Sequence, residues 1–181
     1  MNRAIIDKLL IGAGIGVMVV MIAGGVLAVW GENFSTSQVQ SQLTQEKIYF
    51  PVAGSAALTP AEFPTLQQYA GSQVDSGDKA KAYADDFIWH HMMKASGNKT
   101  YSEVSALSMA SPQDAKLTAL KSTLFQGDML RSSLLTAYAF SRFGFIAHWA
   151  AIACFGGAAL VLVLVLLGVA HLAVPKPRHS R

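Results

Sequence analysis

Two long apolar stretches bracket a mixed middle. From Leu9 to Gly31, and again from Phe143 to Pro175, the chain contains no Asp, Glu, Lys or Arg. A helix needs about 20 apolar residues to cross a hydrocarbon core of roughly 30 Å. Both stretches are long enough, and the run LVLVLLGVA (Leu162 to Ala170) is too apolar for a helix of a small soluble domain. The pattern predicts a mainly α membrane protein: two transmembrane helices, over 9–31 and 143–174, flanking a small α-rich extracytoplasmic domain, 32–142, with one short strand.

The middle is read from its stop and start residues. EKIYFP (Glu46 to Pro51) has the β-branched and aromatic character of a strand, ended by Pro51. From Pro51 to Asp78 the chain is rich in Gly, Ser, Pro and Ala and reads as a loop. A helix follows over Gly77 to Ala95, capped by Ser76 or Asp78 and stopped by Gly97-Asn98. Thr100 and Glu103 stand at capping-box spacing for a second, short helix. Ser111-Pro112, with Asp114 in the first turn, opens a third that runs toward the second span, with Gly127 as its expected kink or break. Arg142 argues for a span that begins only near Phe143, because an arginine deep in lipid costs roughly 2.5–3.5 kcal/mol on insertion scales.

Charge sets the orientation. Arg3 and Lys8 precede the first span, in the tail 1–8, and Lys176, Arg178 and Arg181 lie in the basic tail 175–181, while 32–142 hold ten acids against nine bases. Positive tails stay in the cytoplasm, so the chain is expected to be a multi-pass plasma-membrane protein with both termini cytoplasmic. The net charge of +3 comes from those tails, and no nucleic-acid partner is implied. A cleaved signal peptide ending at Val26-Leu27-Ala28 is the competing reading of residues 1–30; the long apolar run and Trp30 at its outer end favour an anchor. The single cysteine, Cys154, falls in the second span, so the middle has no disulfide.

Within the spans, Gly12, Gly16, Gly24 and Ala28 recur at multiples of four, as do Ala150, Cys154 and Ala158. Small residues on one helical face let another helix approach closely. The expected contacts are membrane lipid together with a membrane-protein partner or a second copy of the chain. GAGIG lacks the strand, the third glycine and the mixed-polarity helix of a dinucleotide loop.

The densest chemistry is DDFIWHHMM, Asp85 to Met93. On an ideal helix His91 is central in the apolar face, and Asp86, His90 and Lys94 form a line on a more polar side. Asp86, His90 and His91 are the candidate metal ligands, for zinc, or for copper with the thioethers of Met92 and Met93. A structural zinc needs four ligands, and the middle holds no third His and no Cys. The bland alternative is a core His91 and a surface Asp86–His90 pair, with no cofactor. Asp128 and Arg131 read as a helix-surface ion pair. No nucleophile motif of the G-x-S-x-G kind occurs, so no catalytic residue is assigned.

The segments LTQEKIYFP, KAYADDFIWHHM, NKTYSEVSAL and TLFQGDMLRSSLLTAYAF, in that order before the last span, resemble a group of small actinobacterial two-span membrane proteins. Members often carry the label aromatic ring-opening dioxygenase. An extradiol dioxygenase uses two His and one carboxylate on iron in a sizeable soluble fold, and this chain presents neither. The resemblance directs attention to His90, His91, Thr100, Tyr101, Glu103 and Arg131. Ser141-Arg142 departs from it by interrupting the apolar run.

Overall fold

A computed structural model describes residues 3–173; the basic tail 175–181 lies outside the described residues. The described chain is mainly helical. Helix α1 is Arg3–Glu46, α2 Gly77–Ala82, α3 Trp89–Ser96, α4 Tyr101–Ala110 and α5 Ala115–Ala173; a π-helical segment, Tyr83–Ile88, joins α2 to α3, and a 3-10 turn covers Thr65–Tyr69. α1 and α5 are each long and apolar enough to cross a membrane, and only 6% of the most apolar window of either is buried inside the protein. The core helix of a soluble domain would be mostly buried, so these two helices read as membrane helices. The chain divides into two compact units, one of Met1–Phe34 with Gly144–Arg181, the other of Ser35–Phe143.

In the first unit the two apolar segments pack antiparallel. On α1 the covered line follows Asp7, Ile11, Gly14, Met18, Met21, Gly25, Ala28 and Glu32, with Gly24 and Gly31 beside it; on α5 it follows Ala147, Ala151, Cys154, Ala158, Val161, Val165 and Gly168, with Gly144 and Gly157 also covered. Both series alternate steps of three and four residues, a repeat of about 3.5 that keeps one seam facing its neighbour. Glycines let the helices close on each other. A Cβ on Gly14 would stand 2.8 Å from Val165, and one on Gly25 2.8 Å from Phe155. Gly24 faces Cys154, where a Cβ would lie 3.6 Å from the thiol sulfur, whereas Gly12 and Gly16 have open space around them and Ala150 is exposed. Steps of four alone drift about 40° per step on a helix of 3.6 residues per turn. That drift carries the N-terminal glycines off the seam that Gly24, Ala28, Cys154 and Ala158 share.

The second unit is a small helical bundle around Val39, Leu43, Phe50, Leu58, Phe63, Leu66, Val74, Ala84, Ile88, Met92, Val104, Leu124 and Leu134. Three of its caps are those the sequence predicts; the start of α5 is not, because Ser111 closes α4 and Asp114, expected in the first turn of α5, is its cap. Ser76 accepts from the Lys79 amide, and Gly97 closes α3 in the left-handed conformation at φ 63°. Thr100 and Glu103 form the reciprocal capping box of α4. Asp114 Oδ1 accepts from the amides of Lys116 and Leu117, so α5 begins one residue after it.

Three expectations are corrected. The strand over Glu46–Pro51 is an isolated bridge between Tyr49 and Gln73, flanked by the bonds Phe50 N–H to Ser72 O and Val74 N–H to Ile48 O, both 2.9 Å. Pro51 has no N–H to extend the ladder, and no strand occurs among the described residues. Gly127 does not end α5, which continues to Ala173; it makes room, since a Cβ there would come within 2.7 Å of Met92 Sδ. Arg131 does not pair with its helix neighbour Asp128 but reaches Asp85.

Candidate functional site

The crowded turn is built on the π-helical segment. A π turn winds wider than an α turn, with bonds from residue i to i+5, and here the Trp89 amide donates to the Ala84 carbonyl. Wider winding breaks the four-residue line expected for an α-helix. Asp86 is exposed, His90 is half-buried edge-on to Phe63 at 4.7 Å between ring centroids, and Lys94 crosses to Glu62 at 2.7 Å. The hydrogen bond from Lys94 holds the Glu62 carboxyl below its ordinary range.

The two histidines take unequal places. His91 stacks on Phe63, with 5.4 Å between centroids and 6° between planes. Its Nδ1 lies 2.8 Å from the Phe87 carbonyl oxygen. A carbonyl only accepts, so Nδ1 carries the proton and donates. His90 Nε2 is buried and has no hydrogen-bond partner. The rings stand 5.9 Å apart at 75°. Among the described residues no three His, Cys, Asp or Glu side chains gather closely enough to hold a metal ion. Asp86, His90 and His91 are thus neighbours in sequence that the fold distributes over solvent, an aromatic cluster and a backbone carbonyl.

Charge in this region converges on Asp85. Its carboxylate accepts from Lys81 on the preceding turn and from Arg131 of α5 at 2.8 Å. Burial pushes the Asp85 carboxyl up, but the bonds from Lys81 and Arg131 outweigh it and hold the group below the usual carboxylate range. The same bond raises Lys81. The Arg131 guanidinium also lies over the Trp89 ring, 4.7 Å from its centroid, and burial raises the nearby Tyr83 phenol. This is a structural clamp between the π segment and α5.

The open feature of the second unit lies on α5. A groove of ≈ 670 Å³ is lined by Tyr101 of α4 and by Phe125, Asp128, Met129, Arg131, Ser132, Leu135, Thr136, Ala139, Phe140 and Phe143. Met129 is 51% exposed and Phe143 64%, while Leu124 and Leu134 on the opposite face are buried in the core. Sequence reasoning passed over this surface; its spacing was legible, because Phe125, Met129, Ser132, Thr136, Ala139 and Phe143 follow one another by four and three residues in turn. In the first unit, His148 Nδ1 lies 2.9 Å from Glu32 Oε1.

Known protein families, curated proteins and solved structures contain no match to this chain.

Proposed function

We propose that this is a non-enzymatic integral protein of the plasma membrane, with both termini cytoplasmic and residues 32–142 outside, and that its outer part serves as an assembly surface for a membrane partner or a second copy. The observation that carries the reading is the apolar face of α5 between Phe125 and Phe143. Four large apolar side chains there, Phe125, Met129, Phe140 and Phe143, are 49% to 64% exposed, although the opposite side of the same helix is packed. Contiguous exposed apolar surface rimmed by polar residues marks interaction sites. The two apolar helices supply the anchor, and the charge of the flanks supplies the orientation.

Native mass spectrometry of the protein extracted from its own membranes in mild detergent tests the reading. A defined complex, either homo-oligomeric or with one stoichiometric partner, is expected. A bare monomer would overturn the assembly role, and a stoichiometric metal lost on substitution of His90 and His91 would replace it with a metal-binding one.

A further inference from the structure

We infer that the groove on α5 is a homodimer seam, closed by the same face of a second copy standing parallel to it in the same membrane. The inference rests on the assembly reading above and names the partner. Phe125, Ser132 and Ala139 fall at the d positions of a heptad, and Met129, Thr136 and Phe143 at the a positions; all six are exposed. Such a repeat of about 3.5 residues fits a second helix, whereas an acyl chain imposes no alternation of three and four. Thr136 Oγ1 donates to the Ser132 carbonyl at 2.9 Å within its own helix, so the methyl group is what it presents to a neighbour.

The partner is argued from direction and from charge. In any two copies sharing a membrane, α5 runs the same way, so each layer of the seam can meet itself: large at Phe125, Met129 and Phe143, small at Ser132, Thr136 and Ala139. In a parallel pair each g position faces the e position five residues later in the neighbour. That rule sets Leu135 of one copy beside Phe140 of the other, an apolar pair, and Asp128 beside Ser133, a hydroxyl donor rather than a second acid. No like charges meet along the seam. Arg131, at a c position, lines the edge of the groove and is held by Asp85.

The test is disulfide trapping in native membranes of the full chain. Cys154 is the single cysteine, so Cys154→Ala gives a clean background. Ser132→Cys and Ala139→Cys place thiols at the closest layers, within the 4.4–6.8 Å Cα separation that a disulfide needs, and are expected to give about tenfold more oxidised dimer than Thr123→Cys at the exposed b position. Adding Ala139→Arg to the Ser132→Cys chain should abolish the dimer while the helical circular dichroism of the chain is retained, because position 139 is exposed in the single chain. Equal trapping at 132, 139 and 123, or none at all, overturns the inference. If trapping fails but the native mass still contains a different stoichiometric protein, self-pairing is wrong and the assembly reading stands. If the mass is a monomer carrying only lipid, both are wrong.

Discussion

Asp85 joins the π-helical segment to α5 through charge. Its carboxylate takes bonds from Lys81 and Arg131, and both acid and arginine remain 27% exposed, so water screens part of the attraction. Asp85→Asn is therefore expected to cost about 1 kcal/mol at neutral pH, at the lower end for bonds to a charged group. The folded pKa of Asp85 is depressed. Its contribution is thus present above the unfolded carboxylate pKa and is lost as the pH falls through the folded one. Thermal melts from neutral pH down to about pH 3 should show the wild-type and Asp85→Asn curves converging at the acid end. A gap that stays constant would show that shape rather than charge is at stake. His91 is held differently, by stacking and one bond to a carbonyl. His91→Ala should destabilise by about 2 kcal/mol through the cavity left against Phe63 and Phe87, measured as a loss of melting temperature.

At the scale of elements, close approach is what the substitutions should reveal. Gly77 opens α2 against α5: a Cβ there would overlap the Ser141 side chain and lie 3.4 Å from the Tyr138 Cα. Gly77→Ala should cost about 1–3 kcal/mol as overpacking, and Ser141→Gly in the same chain should recover part of it, read in a double-mutant cycle. In the apolar unit, Gly25→Leu should break the seam, because Phe155 fills the space, whereas Gly16→Leu should leave stability unchanged in detergent. Local signals were legible here. Ser76, the Thr100–Glu103 box and Gly97 act where their side chains and φ angles dictate, because a cap is decided within four residues. What could not be read depends on residues far apart in the chain. The π turn shifts the register between Tyr83–Ile88 and α3, so an ideal wheel set His90 on the polar side with Asp86, whereas the fold packs it against Phe63. α5 continues through Gly127, and Met92 occupies the room that glycine leaves. The four-residue stripe of glycines misjudged the seam, since a pair of helices selects a repeat of about 3.5 only once they pack.

For the whole molecule, the decisive question is which side of the membrane each segment occupies. Helical rise is about 1.5 Å per residue, so the run Leu9–Gly31 extends roughly 34 Å, enough for one crossing and not for two. The second apolar run allows one more. In the proposed topology two crossings return the chain to its starting side, and the basic residue Lys8 with three more beyond Pro175 is the reason for assigning that side to the cytoplasm. In a Cys154→Ala background, Ser102→Cys on the exposed surface of α4 should react with a membrane-impermeant maleimide on intact cells, and Lys8→Cys only after permeabilisation. The reverse pattern would invert the orientation, and reaction of both on intact cells would require a single crossing. Cleavage after Ala28 would also remove Lys8 altogether, which the intact mass of the mature chain would reveal. A chain that retains Lys8 inside and Ser102 outside would present Phe125 to Phe143 to the outer compartment, where the proposed partner, another membrane-anchored protein or a copy of itself, would meet the face at high local concentration.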